Sequence, residues 1–440
     1  MNTQIRANQI SEANHLIIGG CDAISLAKEF GTPLVVYDVA QIKQQFQDFQ
    51  EVFQENAVDY AVSYASKAFA NTAMYQLVQK MNGHIDVVSA GEIQLALHAG
   101  FSASQMTFHG NNKSREELTL AVKAGIGVIA LDNFHEIDLL HQILAEQQRS
   151  VDVLLRITPG ISAHTHEYIQ TGQVDSKFGF DLESGQVDQA LQKALQEPNM
   201  NVLGIHAHIG SQIFELAGFE GASEKLVDLA ARWQREYDFE TQVLNVGGGF
   251  GIRYVSDDQP LAPQDFVATI IQTIKKRTRT LGLRTPAIWI EPGRSIVGPA
   301  GYTLYTVGAR KDVPGIRSYL AVDGGMGDNI RPALYGAAYE AVLANKPEAP
   351  ASEIVRIAGK YCESGDILIQ EQAIPETKPG DIIAVLNTGA YGYSMASNYN
   401  LNVKPAIVFA EGGRATLVTR RERIEDIERL DFNLDGSQRS

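Results

Sequence analysis

Charged side chains follow two short apolar runs at the points where buried strands would end. Lys67 follows Tyr60–Tyr64, and both Glu291 and Arg294 follow Ala287–Ile290. A lysine in such a place can form a Schiff base with a carbonyl compound, although it could also be an ordinary surface lysine on a first helical turn. A buried carboxylate is costly without a partner. Glu291 therefore requires a cation, and Arg294 could be that cation or could bind a phosphate.

Two further runs end in residues that suit a flat or anionic ligand. His206 and His208 lie in Leu203–Ile209, where alternation places both on the same side of a strand. They could be zinc ligands, core histidines or a ring stacked on an aromatic cofactor, and no carboxylate or third histidine is obviously paired with them. Gly247–Gly251 is a flexible turn or a loop whose backbone N–H groups approach an anion.

Three other places combine polar side chains. In Asp86–Glu92 two carboxylates and a hydroxyl flank a turn, where Ser89 or Glu92 could simply cap a helix. Arg331 and Tyr335 are four residues apart, which is one helical face, and this pair suits a carboxylate. The thiol of Cys362 stands beside acids, but a buried small hydrophobe is the other interpretation.

The elements that position these residues form a regular pattern. Eight short apolar runs alternate with amphipathic stretches, which predicts parallel strands covered on both faces and a (β/α)₈ barrel. The runs are Tyr60–Tyr64, His84–Ser89, Met106–His109, Val128–Leu131, Val151–Ile157, Leu203–Ile209, Gln242–Val246 and Ala287–Ile290. Barrel enzymes carry their chemistry at the C-terminal ends of the strands, where the polar residues described above occur.

The pattern changes after Arg294, where glycine and proline become dense and few helical stretches separate the runs. This indicates a mainly antiparallel β-domain. The N-terminal segment is predicted to join it, because Val35–Tyr37 precedes the barrel and needs a pairing strand. We therefore predict a barrel over residues 36–295 and a β-domain from residues 1–35 and 296–440.

Composition limits the possible partners. The 440 residues include 37 Lys and Arg against 52 Asp and Glu, so the formal net charge is −15, which disfavours a nucleic-acid partner. Two distant cysteines, Cys21 and Cys362, do not make a disulfide framework. The N-terminus lacks the apolar core of a signal peptide, and no apolar run approaches the length of a membrane span. We expect a cytoplasmic protein without a membrane partner.

The motifs, taken in order, resemble those of the alanine-racemase-fold pyridoxal-phosphate decarboxylases. The resemblance runs from about residue 30 to 410 and depends on the ordered set rather than on any single motif. The matching segments are Tyr64–Phe69, Asp86–Glu92, Phe108–Ser114, Ser176–Phe180, Gly204–Gln212, Gly247–Gly251, Glu291–Arg294, Asp323–Tyr335, Cys362–Asp366 and Gly389–Asn400.

The resemblance implies a pyridoxal 5'-phosphate site and no metal. Lys67 would hold the cofactor covalently, His208 would stack on its ring and Glu291 would face the pyridine nitrogen. Together with Cys362, these are the implied catalytic residues. The implied cofactor-binding residues are Lys67, Asp86, His208, Ser211, Gly248, Gly249, Glu291, Arg294 and Tyr391.

The resemblance also implies a homodimer with shared active sites. Cys362, the proton donor, and Glu363 would enter the site of the partner subunit. The implied substrate-binding residues are Arg294, Arg331, Tyr335, Glu363 and Tyr391.

An arginine with an acid matches a distal carbon that carries both a carboxylate and an ammonium group. The reaction that the resemblance implies is decarboxylation of meso-2,6-diaminopimelate to L-lysine and CO₂, the last step of lysine biosynthesis. Three alternatives remain: a decarboxylase of a related diamino acid or polyamine precursor, a catalytically silent regulatory homologue, and a zinc hydrolase on a barrel.

Overall fold

The computed structural model describes residue 5 and residues 9–161 and 176–437. The remaining residues, including the two ends of the predicted β-domain, lie outside the described part. The chain divides into two compact units. The barrel unit comprises Lys43–Ile252 and Gln259–Ile296, and the β unit comprises Met1–Ile42, Arg253–Asp258 and Val297–Ser440. The predicted boundaries at residues 36 and 295 stay a prediction.

The strands of both units are short, apart from one of 13 residues in the β unit. In chain order they are β1 (Ile17–Ile18), β2 (Cys21–Asp22), β3 (Leu34–Asp38), β4 (Tyr60–Ala65), β5 (His84–Val87), β6 (Met106–Phe108), β7 (Val128–Leu131), β8 (Val151–Thr158), β9 (Phe180–Asp181), β10 (Met200–Ala207), β11 (Val243–Asn245), β12 (Ala287–Ile290), β13 (Gly301–Val313), β14 (Arg317–Val322), β15 (Ala341–Leu343), β16 (Glu353–Ala358), β17 (Ile367–Ile374), β18 (Ile382–Val385), β19 (Ala406–Glu411) and β20 (Arg414–Thr419).

Most of the longer helices alternate with the strands of the barrel unit. In chain order the helices are α1 (Ala23–Phe30), α2 (Val39–Glu55), α3 (Thr72–Lys80), α4 (Ala90–His98), α5 (Arg115–Ala124), α6 (Phe134–Gln147), α7 (Gln186–Leu195), α8 (Leu216–Tyr237), α9 (Pro263–Leu281), α10 (Arg294–Val297), α11 (Arg331–Tyr335) and α12 (Ile424–Glu428). Among the described residues, no helix combines the length and apolarity needed to cross a bilayer.

Eight parallel strands form a closed barrel, as predicted. Strands β4 to β8 pair in sequence, β8 pairs with β10, and the circle continues through β11 and β12 back to β4. The two-residue strand β9 is an additional pairing on β8. All eight predicted runs correspond to barrel strands, because strands buried on both faces are read directly as apolar runs.

The β unit contains a mixed, mainly antiparallel sheet in the order β17-β16-β14-β13-β3-β19-β20. Strand β18 pairs with β13 and β15. The predicted partner for Val35–Tyr37 is found: β3 pairs antiparallel with β13 and parallel with β19. The N-terminal segment thus contributes a central strand to a sheet built otherwise from the C-terminal part of the chain.

A buried ion pair fixes the loop that follows β6. The Lys113 ammonium donates to the carbonyl oxygens of Gly110 at 2.8 Å and Ala130 at 2.7 Å, and to Glu136 Oε1 at 2.7 Å. The other oxygen of Glu136 accepts from the Asp132 N–H at 3.0 Å. Since the side chains of Lys113 and Glu136 are only 1% and 2% exposed, the loop and α6 are joined by charges that have little access to water.

We predict that Lys113→Met destabilises the barrel unit by about 3–5 kcal/mol, because it leaves the Glu136 carboxylate buried without its cation. The matched control is Lys193→Met, which breaks a pair with Asp138 whose side chains are 32% and 56% exposed and should cost less than about 1 kcal/mol. Urea unfolding of both variants measures the difference. Equal losses for the two variants would contradict the assignment.

Candidate active site

A buried cluster centred on Glu291 lies at the C-terminal ends of the barrel strands. His206 Nε2 is hydrogen-bonded to Glu291 Oε2 at 3.1 Å, and Asn245 Nδ2 donates to Oε1 at 2.7 Å. His109 Nε2 lies 2.9 Å from the same Oε1. The alignment of β10 with β11, which pairs His206 with Asn245, brings these residues together. His109 directly follows β6 and donates its backbone N–H to Val87 O at 2.8 Å.

The surroundings of Glu291 favour its ionised form. Burial by itself raises the pKa of this carboxyl, but His109 and His206 against its oxygens outweigh burial and hold the pKa well below its usual value. Burial lowers the pKa of His206 to about 4, although Glu291 opposes that shift. The His206 ring is therefore uncharged at neutral pH, and the hydrogen bond to Glu291 places its proton on Nε2.

Of the two histidines in the predicted strand, His206 belongs to this cluster, whereas His208 contacts the glycine loop. The sequence showed no carboxylate or third histidine paired with them, yet the structure supplies both: His109, His206 and Glu291 place ligand-type atoms within 4.8 Å of one another. The structure also shows which side chains contact the Glu291 carboxylate. The described hydrogen bonds to this carboxylate come from His206 and Asn245, whereas Arg294 donates to Ser211.

Lys67 lies in a 3₁₀ turn, Ser66–Ala68, directly after β4. Its side chain is exposed, and the turn packs against the segment that follows Glu291. The Ala65 N–H donates to Pro292 O at 3.1 Å, and a Cβ on Gly293 would lie 2.8 Å from Ala65 Cβ. The predicted lysine and the predicted carboxylate are thus held by two turns in contact.

Asp86, at the same end of the barrel, is buried, and its Oδ1 has no hydrogen-bond partner. Burial raises the pKa of Asp86, Lys67 opposes the rise and Glu291 adds to it. Arg156 on β8 is buried as well, with its Nε 3.8 Å from Asp132 Oδ2. The capping interpretation of the neighbouring turn is confirmed, because Ser89 Oγ accepts from the Glu92 N–H at 3.2 Å.

The glycine loop after β11 packs so closely that side chains would not fit. A Cβ on Gly248 would lie 2.1 Å from the Glu291 carbonyl oxygen, and one on Gly249, where φ is +110°, would lie 2.4 Å from the Gly210 oxygen. The Gly248 N–H donates to His208 Nδ1 at 3.2 Å. This bond leaves the proton of a neutral His208 on Nε2, and burial lowers the pKa of His208 well below its ordinary value.

Ser211 and Arg294 meet at the same end of the barrel. Arg294 donates from Nη2 at 3.0 Å and from Nε at 3.3 Å to Ser211 Oγ. The bonds join the segment after β10 to the start of α10. An arginine, a hydroxyl and a glycine loop are groups that bind phosphate.

Within the β unit, Arg331 lies among tyrosines. Its Nη1 donates to the Tyr339 hydroxyl, and its guanidinium is 4.9 Å from the centre of the Tyr254 ring. The predicted neighbour Tyr335 is half-buried at the end of α11. The chain reverses at Gly336, where φ is +61°, so the tyrosine bonded to Arg331 comes from beyond the helix.

Cys362 and Glu363 lie on an exposed loop of the β unit. The Cys362 N–H donates to Asn400 Oδ1 at 2.9 Å, and the Tyr361 N–H donates to Asp366 Oδ2 at 2.8 Å. The same unit holds Tyr391 at a φ of +61°. This conformation is strained for a tyrosine and persists where the surroundings enforce it, as at functional sites.

The structure adds residues that the sequence patterns did not identify. His109, Asn245 and Arg156 surround the carboxylates of the barrel, and Tyr254 and Tyr339 surround Arg331. The sequence could have pointed to His109, since this residue ends a predicted strand and lies in the segment Phe108–Ser114.

Known proteins share both the sequence and the fold. Residues 39–298 match the family model described as pyridoxal-dependent decarboxylase, pyridoxal binding domain. The diaminopimelate decarboxylase of Bacillus subtilis is 54% identical over 96% of each chain. That of Staphylococcus aureus is 43% identical over 96% of this chain and 98% of its own.

Solved structures agree with this match. The diaminopimelate decarboxylase of M. jannaschii, crystallised with L-lysine, superposes with a TM-score of 0.90 at 34% identity, over 96% of this chain and 97% of that chain. The Helicobacter pylori enzyme, also complexed with L-lysine, gives a TM-score of 0.83 at 32% identity over 92% and 98% of the two chains. The chain therefore belongs to the pyridoxal-dependent decarboxylases and, among them, to the diaminopimelate decarboxylases.

Proposed function

We propose that this chain uses pyridoxal 5'-phosphate to decarboxylate meso-2,6-diaminopimelate to L-lysine and CO₂, the last step of lysine biosynthesis. The observation that supports this most directly is the buried Glu291 carboxylate at the C-terminal end of the barrel, with His206 and His109 against its two oxygens, in a chain that is 54% identical to one diaminopimelate decarboxylase over nearly the full length of both. The enzyme is proposed to act in the cytoplasm, where its two unpaired cysteines stay reduced.

The barrel residues fit this cofactor. Gly248 and Gly249 let the loop pack against neighbouring backbone oxygens where a side chain would not fit, and Ser211 with Arg294 adds a hydroxyl and a cation for the phosphate. Asp86 has a buried oxygen without a partner, which is a polar atom for a bound group to satisfy. Lys67 supplies the amine to which the cofactor's aldehyde carbon binds.

When bound, pyridoxal phosphate supplies a ring that accepts the electron pair left on the substrate carbon after the carboxylate departs. Glu291 is proposed to face the ring nitrogen, where its negative charge favours the protonated nitrogen. His208 is proposed to stack on the ring, with its orientation fixed by the bond from the Gly248 N–H. In this proposal His208 orients the cofactor ring, and Glu291 favours the positive charge on the ring nitrogen.

Substrate binding is assigned to residues of the β unit together with Arg294. Arg331 carries a permanent charge and a planar set of donors for the distal carboxylate. Tyr254 and Tyr339 fix its guanidinium. We propose that Tyr335 and Tyr391 bind the substrate alongside Arg331, and that Glu363 pairs with the distal ammonium group. Tyr391 is also proposed to close over the cofactor.

A homodimer with shared active sites is the proposed assembly. Cys362 and Glu363 are exposed in the single chain, which suits side chains that complete the site of a partner subunit. Cys362 is proposed to deliver the proton that replaces CO₂ on the substrate carbon. The C–CO₂ bond breaks, CO₂ leaves and a C–H bond forms with the proton from Cys362, whose thiol would take up a proton from solvent before the next turnover.

We predict that Lys67→Ala abolishes both turnover and the visible absorbance of the bound cofactor, because the covalent attachment is lost. The wild-type enzyme should convert diaminopimelate to L-lysine with one CO₂ per lysine. Absorption spectra and product analysis across a panel of diamino acids measure both, and Lys80→Ala on α3 is the control. Absorbance in Lys67→Ala that borohydride still removes would contradict the role of Lys67. A preference for another diamino acid would contradict the substrate.

We predict that Arg331→Lys raises the KM for diaminopimelate roughly 10- to 100-fold with a smaller effect on kcat, since a charged hydrogen bond to a carboxylate contributes about 1.5–3 kcal/mol. The control is Arg356→Lys, because Arg356 also lies over a tyrosine ring, that of Tyr319 at 5.7 Å, on a strand without a proposed role. Steady-state kinetics distinguish the two. An unchanged KM in Arg331→Lys would remove Arg331 from substrate binding.

We predict that mixing inactive Lys67→Ala and Cys362→Ala chains restores about a quarter of the wild-type activity, because random pairing makes half the dimers mixed and each mixed dimer has one intact site. Activity after joint refolding measures this, with each variant refolded alone as the control. Mixed dimers that form and stay inactive would show that each subunit supplies its own site.

A further inference from the structure

We infer that His109 and His206 are positioning residues that keep the proton shared by Glu291 and the cofactor on the ring nitrogen, by stabilising the charged form of the carboxylate. The inference rests on the proposed function, since it takes Glu291 as the group that faces this nitrogen. It assigns a purpose to two buried imidazoles that the proposed reaction does not itself use.

The geometry is that of a carboxylate held at both oxygens. His206 Nε2 is 3.1 Å from Oε2, and His109 Nε2 is 2.9 Å from Oε1. The two histidine side chains are 1% and 6% exposed and that of Glu291 is 6% exposed, so water does not replace these contacts. Asn245 Nδ2 donates to Oε1 at 2.7 Å, and its own Oδ1 accepts from the Gly247 N–H at 2.9 Å.

A buried carboxylate competes with the ring nitrogen for their common proton. Burial strengthens proton binding by a carboxylate, and a sufficiently basic Glu291 would take the proton and leave both groups neutral. Hydrogen bonds donated to both oxygens stabilise the charged carboxylate. The imidazoles therefore determine where the proton resides, which in turn determines how well the ring accepts electrons.

Other charged groups face Glu291 from neighbouring strands. Asp86 on β5 opposes its negative charge, and Arg156 on β8 attracts it, so these two act in opposite directions. His208, which follows β10, also senses Glu291 but has a pKa far below its ordinary value and is uncharged. With the charges of Asp86 and Arg156 opposed to each other, the contacts at the two carboxylate oxygens are what favours the ionised form of Glu291.

The test compares variants that keep or remove the donor at each histidine. Leucine at position 109 or 206 removes it, whereas glutamine keeps an N–H donor at a similar reach. Each holoenzyme is reconstituted with pyridoxal phosphate carrying ¹⁵N in the ring, and the ¹⁵N chemical shift reports whether this nitrogen is protonated. His84→Leu, at the opposite end of β5, is the matched control, and circular dichroism checks folding.

We expect a protonated nitrogen in the wild type, in both glutamine variants and in His84→Leu. In His109→Leu, His206→Leu and their double variant the shift moves toward that of an unprotonated ring, and kcat falls about tenfold or more, one pKa unit being a factor of ten. Because the proton is moved rather than lost, the change persists across the pH range, and the KM for diaminopimelate changes little.

A folded double leucine variant that keeps a protonated nitrogen would overturn the inference, and so would glutamine variants that lose it. If the double variant does not fold, the single variants decide. A wild-type holoenzyme that leaves diaminopimelate unchanged would instead refute the proposed function, because the ¹⁵N comparison does not depend on turnover.

Discussion

A single negative charge buried at the end of a barrel constrains much of this structure. Glu291 is buried at the end of β12, where burial alone would raise its pKa, and its pKa is nonetheless held low. A bare carboxylate in this place would be too costly to keep ionised. The cost is offset by donors from β10, β11 and the segment after β6. Barrel closure is therefore a condition for these contacts to Glu291, since β6, β10, β11 and β12 come together in the closed ring.

The two units contribute different chemistry. The barrel unit supplies the exposed Lys67 together with buried groups such as Glu291 and Asp86, whose charges are set by their neighbours on fixed strands. The β unit presents Arg331, Cys362 and Glu363 near the ends of its elements, and the Cys362 loop is tied down through backbone N–H groups by Asn400 and Asp366. The proposed function divides these roles: the barrel unit, which matches the pyridoxal binding domain, would bind the cofactor, and residues of the β unit would bind the substrate.

Much of the fold could be predicted because burial on both faces leaves a direct record in the sequence. The eight barrel strands are apolar runs in the sequence, and Val35–Tyr37 was predicted to be a strand that needs a pairing strand from the β-domain. The 13-residue strand β13 was not identified, because its second half is exposed and carries charge, which hides the apolar pattern. Strand β17 alternates too irregularly to be recognised, with a shifted alignment against β16.

The sequence patterns pointed to individual candidate residues but not to the contacts between them. Glu291 was expected to need a cation, yet its partners come from positions 46, 85 and 182 residues earlier in the chain, a separation that no local pattern encodes. Helical spacing placed Tyr335 beside Arg331, but α11 ends at Tyr335 and the reversal at Gly336 brings Tyr339 to the guanidinium. Local spacing cannot anticipate such a reversal.

In the proposed reaction, an ionised carboxylate at position 291 is required for the chemistry and not merely for cofactor binding. The most direct test measures Glu291→Gln for bound pyridoxal phosphate and for turnover of diaminopimelate. We expect the variant to fold and retain the cofactor but to lose most of kcat, because an amide cannot hold the ring nitrogen in its charged form. Near-normal turnover by a fully loaded Glu291→Gln enzyme would contradict it.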